Sequence, residues 1–123
     1  MKAARFYDKG DIRIEDIPEP EVTTGTVGIK VAWCGICGTD LHEFMDGPIF
    51  IPPCGHPHPI SGESAPVTMG HEFSGVVYAV GEGITDIKVG QHVVVEPYII
   101  ADNIPTGPND NYHPTHSHVL PVL

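Results

Sequence analysis

The chain has 123 residues, enough for one domain with a modest hydrophobic core. Its 6 Lys and Arg against 16 Asp and Glu give a formal net charge of -10, which would repel nucleic-acid phosphates and anionic lipids. Residues 1–17 lack the apolar core of a signal peptide and no apolar run approaches the roughly 18 residues of a spanning helix, so we expect a cytoplasmic protein without nucleic-acid or membrane partners.

The many turn-forming residues predict a mainly β protein with short strands. The 14 Gly and 13 Pro residues favour turns over long helices. Residues 2–7 and 11–17 flank a Lys9-Gly10 turn and are predicted to form a hairpin. Residues 26–33 alternate with a period of two, which predicts a half-buried strand with these residues on one side: Val27, Ile29, Val31 and Trp33.

A short helix is predicted within residues 34–47, CGICGTDLHEFMDG, with Cys37 near its start and Asp46-Gly47-Pro48 at its end. Four apolar residues are spaced for one helix face: Ile36, Leu41, Phe44 and Met45. The stretch from residue 48 to residue 66 is rich in Pro, Gly and Ser, which predicts a long surface loop.

Two further strands are predicted within residues 69–81 and 89–100, with Val93, Val94 and Val95 as a buried run. The spacing of strands and turns favours a small, partly open β-barrel. Residues 114–123 are rich in His and Pro and show no amphipathic pattern, so no further element of a packed domain is expected there.

The odd number of cysteines argues for a metal-binding or catalytic thiolate. Cys34, Cys37 and Cys54 cannot complete an intramolecular disulfide framework. The single CxxC formed by Cys34 and Cys37 fits a pair of buried thiols as well as a metal ligand, whereas a redox CxxC would need a thioredoxin-like βαβ unit that the sequence lacks. A helix N-terminus beside Cys37 would favour its thiolate.

Cys37, His71 and Glu72 supply the three types of ligand that zinc takes in proteins: a thiolate, an imidazole and a carboxylate. His71 and Glu72 follow Gly70 at the head of a predicted strand, where a sharp turn would aim both side chains into a cleft. Taken without its context, the pair also fits a hydrogen-bonded histidine beside a surface carboxylate.

Two sequence blocks in order resemble the zinc-containing medium-chain alcohol and polyol dehydrogenases. These blocks are CGICGTDLHEF and, after the loop, GHEFSGVVYAVGEGITDIKVGQHVVVEP. The butanediol dehydrogenases are the most similar branch, and sorbitol and threonine dehydrogenases are close. The resemblance implies a mainly β, GroES-like, partly open barrel with one or two short helices. It assigns residues 1–113 to the N-terminal catalytic domain and leaves 114–123 as an atypical tail, with the look of out-of-frame sequence.

By matching position, the resemblance implies that Cys37 and His71 bind a catalytic zinc ion and that Glu72 is a ligand or a nearby carboxylate that exchanges with water. A further ligand in this branch, usually a glutamate, would lie beyond residue 123. Many relatives also hold a structural zinc with four cysteines, but no cysteine follows Cys54, so that site is excluded.

The resemblance also implies a proton relay on the predicted helix. Thr39 would stand beside the alcohol, His42 would pass its proton to solvent, and Asp40 would orient a ligand. From the residues alone, Thr39 and Asp40 also fit helix caps, and His42 fits a solvated helix face.

The implied reaction is NAD(P)-dependent oxidation of a secondary alcohol or diol, such as 2,3-butanediol, to the ketone. No GxGxxG motif follows a strand and opens a helix, so we expect no Rossmann domain and no NAD(P) site in these residues. We expect a chain truncated before its cofactor domain, with exposed edges that favour self-association. The alternatives are a free-standing GroES-like metal-binding or scaffolding module and an inactive gene fragment.

Two other groups of possible metal ligands are expected to have no catalytic role. Cys54, His56 and His58 lie in the Pro-rich loop, where relatives have no ligand, so we interpret them as loop variation. The tail contains a second cluster that could capture metal adventitiously: His113, His116 and His118.

Overall fold

A computed structural model describes residues 1–59 and 61–97 and the backbone of residues 118–121. These residues form seven strands and one helix, which confirms the mainly β expectation. In chain order the elements are β1 (Lys2–Asp8), β2 (Asp11–Asp16), β3 (Val27–Gly35), α1 (Gly38–Asp46), β4 (Val67–Thr68), β5 (Glu72–Val80), β6 (His92–Glu96) and β7 (His118–Pro121).

The chain divides into two compact units. The first unit combines Met1–Glu19 with Gly35–Gly70, and the second combines Pro20–Cys34 with His71–Leu123. Each unit contains one sheet. Their strand orders are β2-β1-β4 in the first unit and β3-β5-β6-β7 in the second.

The first unit is organised by the predicted hairpin, which the structure confirms. Strands β1 and β2 pair antiparallel, and Gly10 takes a φ of 72° at their turn, a conformation that glycine adopts without steric cost. Strand β4 pairs with the other edge of β1. The core of this unit contains Phe6, which is fully buried, together with Ala3 and Ala65.

Helix α1 confirms the predicted helix and its end at Gly47. The four apolar residues whose spacing indicated the helix are exposed: Ile36, Leu41, Phe44 and Met45. The buried residue of the helix is instead Glu43. The spacing of apolar residues indicated a helix correctly, yet this nine-residue helix turns a hydrogen-bonding group inward.

The second unit has its core where β5 and β6 pair antiparallel. Gly75 lies opposite Val93, and Val77 and Val93 are buried. The prediction of a continuous buried run was wrong, because Val94 is exposed. Successive side chains of a strand point to opposite faces, so a sheet with one covered face buries only every second residue.

Strand β3 confirms the predicted strand, although its two ends differ. Val27 and Ile29 are half-buried, as the alternation indicated. Val31 and Trp33, on the same predicted side, are exposed. The same pattern therefore covers a packed half and a solvent-facing half.

Residues 118–121 form β7, a strand that the sequence pattern did not indicate, and it pairs antiparallel with β6. The predicted strand end at 98–100, the domain boundary at 113 and the histidines at 113 and 116 lie outside the described residues. Among the described residues, no helix has the length and apolar character needed to cross a membrane.

Candidate metal centre

Cys37 is the residue that caps the N-terminus of α1, as predicted from the motif. Its backbone is extended, with φ of -81° and ψ of 156°, and the chain becomes helical at the next residue. Its side chain is half-buried. The thiol is therefore presented at the end of a helix where backbone N–H groups lack helical partners.

Asp40 fixes the backbone that carries this thiol. Its Oδ2 atom accepts a hydrogen bond from the backbone N–H of Cys37 at 2.9 Å. The N–H of Asp40 donates in turn to the carbonyl oxygen of Cys37 at 3.1 Å. Asp40 thus has the capping geometry that its residue type favours at the third helical position, and that geometry orients Cys37.

His71 and Glu72 stand at the entrance to β5, as predicted. Gly70 precedes them with a φ of 99°, which a residue with a Cβ rarely adopts, so the chain turns sharply there. Glu72 is the first residue of the strand and is exposed, and His71 is half-buried. The sharp turn expected before the two residues is present.

Cys37 belongs to the first unit, and His71 and Glu72 belong to the second. Their coordination of one ion therefore stays a prediction. The donor set itself fits zinc: one sulfur, one imidazole nitrogen and one carboxylate, with space in a tetrahedral shell for a further ligand. No hard-ion site, such as one for magnesium, would use a thiolate.

Thr39 and His42 both lie on α1, three residues apart, so their side chains project from neighbouring positions of the helix surface. Thr39 is half-buried and His42 is exposed. The His42 Nδ1 atom lies 3.8 Å from the Asp46 Oδ2 atom one turn further on. Thr39 is the more sheltered residue and His42 the more exposed one, which is the order that proton transfer from a sheltered site to solvent requires.

The Pro-rich loop places its possible ligands in local turn contacts. The His58 Nδ1 atom accepts the backbone N–H of Ser61 at 3.3 Å. Cys54 and His56 are exposed. This supports the interpretation of the segment as loop variation.

Glu43 is a residue whose importance the sequence analysis missed. It is 3% exposed. Its carboxylate accepts the backbone N–H groups of Ile49, at 2.9 Å, Phe50, and Ile51, at 3.2 Å. The available signal was an acidic residue one turn before a Gly-Pro pair, but acidic residues on short helices are usually solvated, so the pattern alone does not single it out.

The family of alcohol dehydrogenase GroES-like domains matches residues 23–117. The (R,R)-butanediol dehydrogenase of Neisseria gonorrhoeae is 88% identical over 113 residues, which are 92% of this chain and 32% of that protein. The (R,R)-butanediol dehydrogenase of Bacillus subtilis is 64% identical over 97 residues, 79% of this chain and 28% of that protein. The chain therefore spans about a third of the length of these relatives.

A crystal structure gives the same assignment. The 2R,3R-butanediol dehydrogenase from Bacillus subtilis superposes with a TM-score of 0.77 at 58% identity, covering 87% of this chain and 30% of that one. The GroES-like fold inferred from the two motif blocks is thus confirmed. The chain belongs to the alcohol dehydrogenase GroES-like domain family.

Proposed function

We propose that this chain is the zinc-binding catalytic domain of an NAD(P)-dependent alcohol dehydrogenase that oxidises a secondary alcohol or diol, such as 2,3-butanediol, to the ketone. The observation that carries the proposal is the 88% identity over 113 residues to an (R,R)-butanediol dehydrogenase. An alignment of that length in a chain of 123 residues spans both motif blocks.

Cys37, His71 and Glu72 are the proposed zinc ligands. Zinc bound to them would supply the Lewis acidity that makes an alcohol hydroxyl easier to deprotonate. The cap at Asp40 supports this role because it holds Cys37 in one backbone conformation, so the thiolate need not be ordered when the metal arrives. Glu72, exposed at a strand end, is free of the core and can exchange with water as a ligand.

Thr39 and His42 are the proposed proton path. The Thr39 hydroxyl can accept a proton from the alcohol while giving up its own, and so moves a proton without introducing a net charge. His42 is the next acceptor, and its exposed ring delivers the proton to water. The Asp46 carboxylate lies 3.8 Å from Nδ1, and both side chains are solvated.

NAD(P) would be held by residues outside this sequence, since the chain contains no GxGxxG turn. The cytoplasm is the proposed location of the protein. Self-association also belongs to the proposal. It is supported by the exposed apolar side chains of both units, among them Trp33, Ile36 and Phe50.

The first experiment measures zinc in the purified chain by elemental analysis and records the spectrum of the cobalt-substituted form. We expect about one zinc per chain and a thiolate-to-cobalt charge-transfer band, because one of the three ligands is sulfur. Cys37→Ser should remove the band and most of the zinc. The matched control is Cys54→Ser, which alters an exposed loop thiol and should change neither.

Two results would overturn the proposal: a folded chain without zinc, or a Cys37→Ser variant that keeps both zinc and the charge-transfer band. Adding NAD and 2,3-butanediol to the zinc-loaded chain tests the cofactor assignment. Formation of NADH by these 123 residues would contradict the expectation that the cofactor is bound elsewhere.

A further inference from the structure

The chain that leads into His71 is paired with β1 over only a few residues. Strand β4 has just two residues, and its partners on β1 are Arg5 and Phe6. One residue later, the backbone N–H of Met69 donates to the Ala4 carbonyl oxygen at 2.8 Å. A ladder this short contains few hydrogen bonds, so the order of the segment depends strongly on any further contact that holds it.

A proline interrupts this ladder at its beginning. Pro66 comes directly before β4 and has no backbone N–H, so it cannot donate a hydrogen bond to a neighbouring strand. The side chain of Arg5 compensates, because its Nη2 atom donates to the Pro66 carbonyl oxygen. The guanidinium group therefore extends the contact between β1 and the incoming chain by one residue, at a position where the backbone alone supplies no donor.

Ion pairing does not explain why Arg5 lies here. The chain has 16 acidic residues, yet Arg5 takes part in none of the ion pairs found in the part of the chain that the structure describes. Its Nε atom is buried without a hydrogen-bond partner among the same residues. A half-buried charge without a carboxylate partner is unfavourable. The contact that explains this side chain is therefore the hydrogen bond to Pro66.

The hairpin that carries Arg5 is also bonded to the helix that begins at the proposed thiolate ligand. The backbone N–H of Gly10, in the β1–β2 turn, donates to the Phe44 carbonyl oxygen of α1 at 2.8 Å. Cys37 caps the other end of that helix. The first unit, which ends at Gly70, thus uses the hairpin to hold both α1 and the segment that precedes the second proposed ligand.

We propose that Arg5 is a positioning residue for His71. By fixing residues 66–69, it limits the directions in which the chain enters this proposed ligand, and so raises the affinity for zinc. The inference rests on the proposed function, in which His71 binds the metal. A ligand whose backbone is already ordered loses less conformational entropy on binding. Only Gly70, the most permissive residue type, lies between the ordered segment and His71, so the order of residues 66–69 matters for the ligand.

The test compares Arg5→Met with Arg13→Met. Methionine keeps an unbranched apolar side chain but lacks the charge and the donors of arginine. Arg13 is the matched control, because it lies opposite Arg5 on β2, is exposed and pairs with Asp11. Hydrogen exchange of the Met69 amide is measured first, in the metal-free chain. We expect it to accelerate about tenfold in Arg5→Met and to stay unchanged in Arg13→Met.

Zinc affinity is then measured by competition with a chromophoric chelator. Arg5→Met should bind zinc about fivefold more weakly than the wild type, and Arg13→Met should bind it equally well. Arg5→Lys keeps the charge and can donate to the same carbonyl oxygen, so it should recover most of the affinity. A role limited to the stability of the fold would change the urea midpoint of Arg5→Met but not the zinc affinity of the folded variant.

Wild-type zinc affinity in folded Arg5→Met would overturn the positioning role, and so would an equal loss in Arg13→Met or an Arg5→Lys variant no better than Arg5→Met. Exchange of the wild-type Met69 amide as fast as in an unstructured peptide would also overturn it, and that measurement needs no variant to fold. If the wild-type chain binds no zinc, the proposed function fails and the affinity part of this inference fails with it. The exchange comparison still decides whether Arg5 holds residues 66–69.

Discussion

The β5–β6 pair and the segment formed by α1 with residues 47–51 are ordered by opposite means. In the strand pair, Val77 and Val93 are buried and Gly75 lets a neighbouring backbone approach. In the helical segment, the buried group is the Glu43 carboxylate and the apolar side chains face outward. One region is held by hydrophobic packing and the other by a few hydrogen bonds.

The difference decides which kinds of side chain each region buries. The strand pair buries valines and still exposes Glu72, Tyr78 and His92. Helix α1 buries the Glu43 side chain, keeps Thr39 half-buried, and leaves His42 and several apolar side chains at the surface. Functional groups gain access to ligands in this way, and the cost is a smaller contribution of that helix to the hydrophobic core.

The largest effect on stability is expected from Gly75→Ala. The added Cβ would collide with the Lys30 carbonyl oxygen and lie 2.7 Å from Ile29 Cγ2, and a backbone cannot move aside as a flexible side chain can. We expect a loss of about 3 kcal/mol in the free energy of unfolding, measured by urea denaturation followed by circular dichroism. The control is Gly38→Ala, since no atom lies within 4 Å of its added Cβ. Equal stability of the two variants would refute the close packing.

A smaller loss is expected when a buried valine is shortened. Val93→Ala should reduce the free energy of unfolding by about 2 kcal/mol, because it removes fully buried methyl groups and leaves a cavity. Its neighbour Val94 is 38% exposed, so Val94→Ala should cost less than about 0.5 kcal/mol. The same denaturation experiment compares them. If the two variants lose the same free energy of unfolding, the assignment of Val93 to the core and Val94 to the solvent-facing side of β6 is incorrect.

The smallest effect is expected at the tip of the β1–β2 hairpin. Hydrogen bonds from Arg13, at 2.9 and 2.6 Å, together with its charge, lower the pKa of the Asp11 carboxyl from its ordinary 3.8. A lowered pKa stabilises the fold above 3.8, and that stability is lost as the pH falls through the folded-state pKa. Both side chains are solvated, so the contribution is slight.

Well above pH 3.8, Asp11→Asn should therefore shift the urea midpoint by a small amount. Well below the folded-state pKa of Asp11, the substitution should leave the midpoint unchanged. Asp86→Asn, at another exposed aspartate, serves as the control. A difference between wild type and Asp11→Asn that persists in acid would show that the Asp11–Arg13 pair is not its source.

Local sequence patterns predicted most of the elements, because each obeys a rule visible within a few residues. The Lys9-Gly10 turn, the alternation of β3 and the cysteine before α1 all appear at the expected places. The GroES-like fold was predicted from the family resemblance, which depends on two sequence blocks that occur in a fixed order on either side of a loop. The pattern of a single strand contains no information about how distant blocks are ordered.

Burial was harder to predict than element type, because it depends on contacts between distant parts of the chain. The run of three valines at 93–95 favours uniform burial, yet Val94 is exposed because only the opposite face of the sheet is covered there. Glu43 was missed because its partners are backbone N–H groups six to eight residues ahead, and any residue other than proline would have provided them.

The exposure of Trp33 has a practical consequence for spectroscopy of this chain. It is the single tryptophan of the sequence, it lies near the end of β3, and 81% of it is in contact with solvent. Its fluorescence should already resemble that of an indole in water when the chain is folded, so emission is a poor reporter of core unfolding. Any molecule or second copy of the chain that covers this end of β3 should instead shift the emission to shorter wavelength, which makes Trp33 a built-in probe of association.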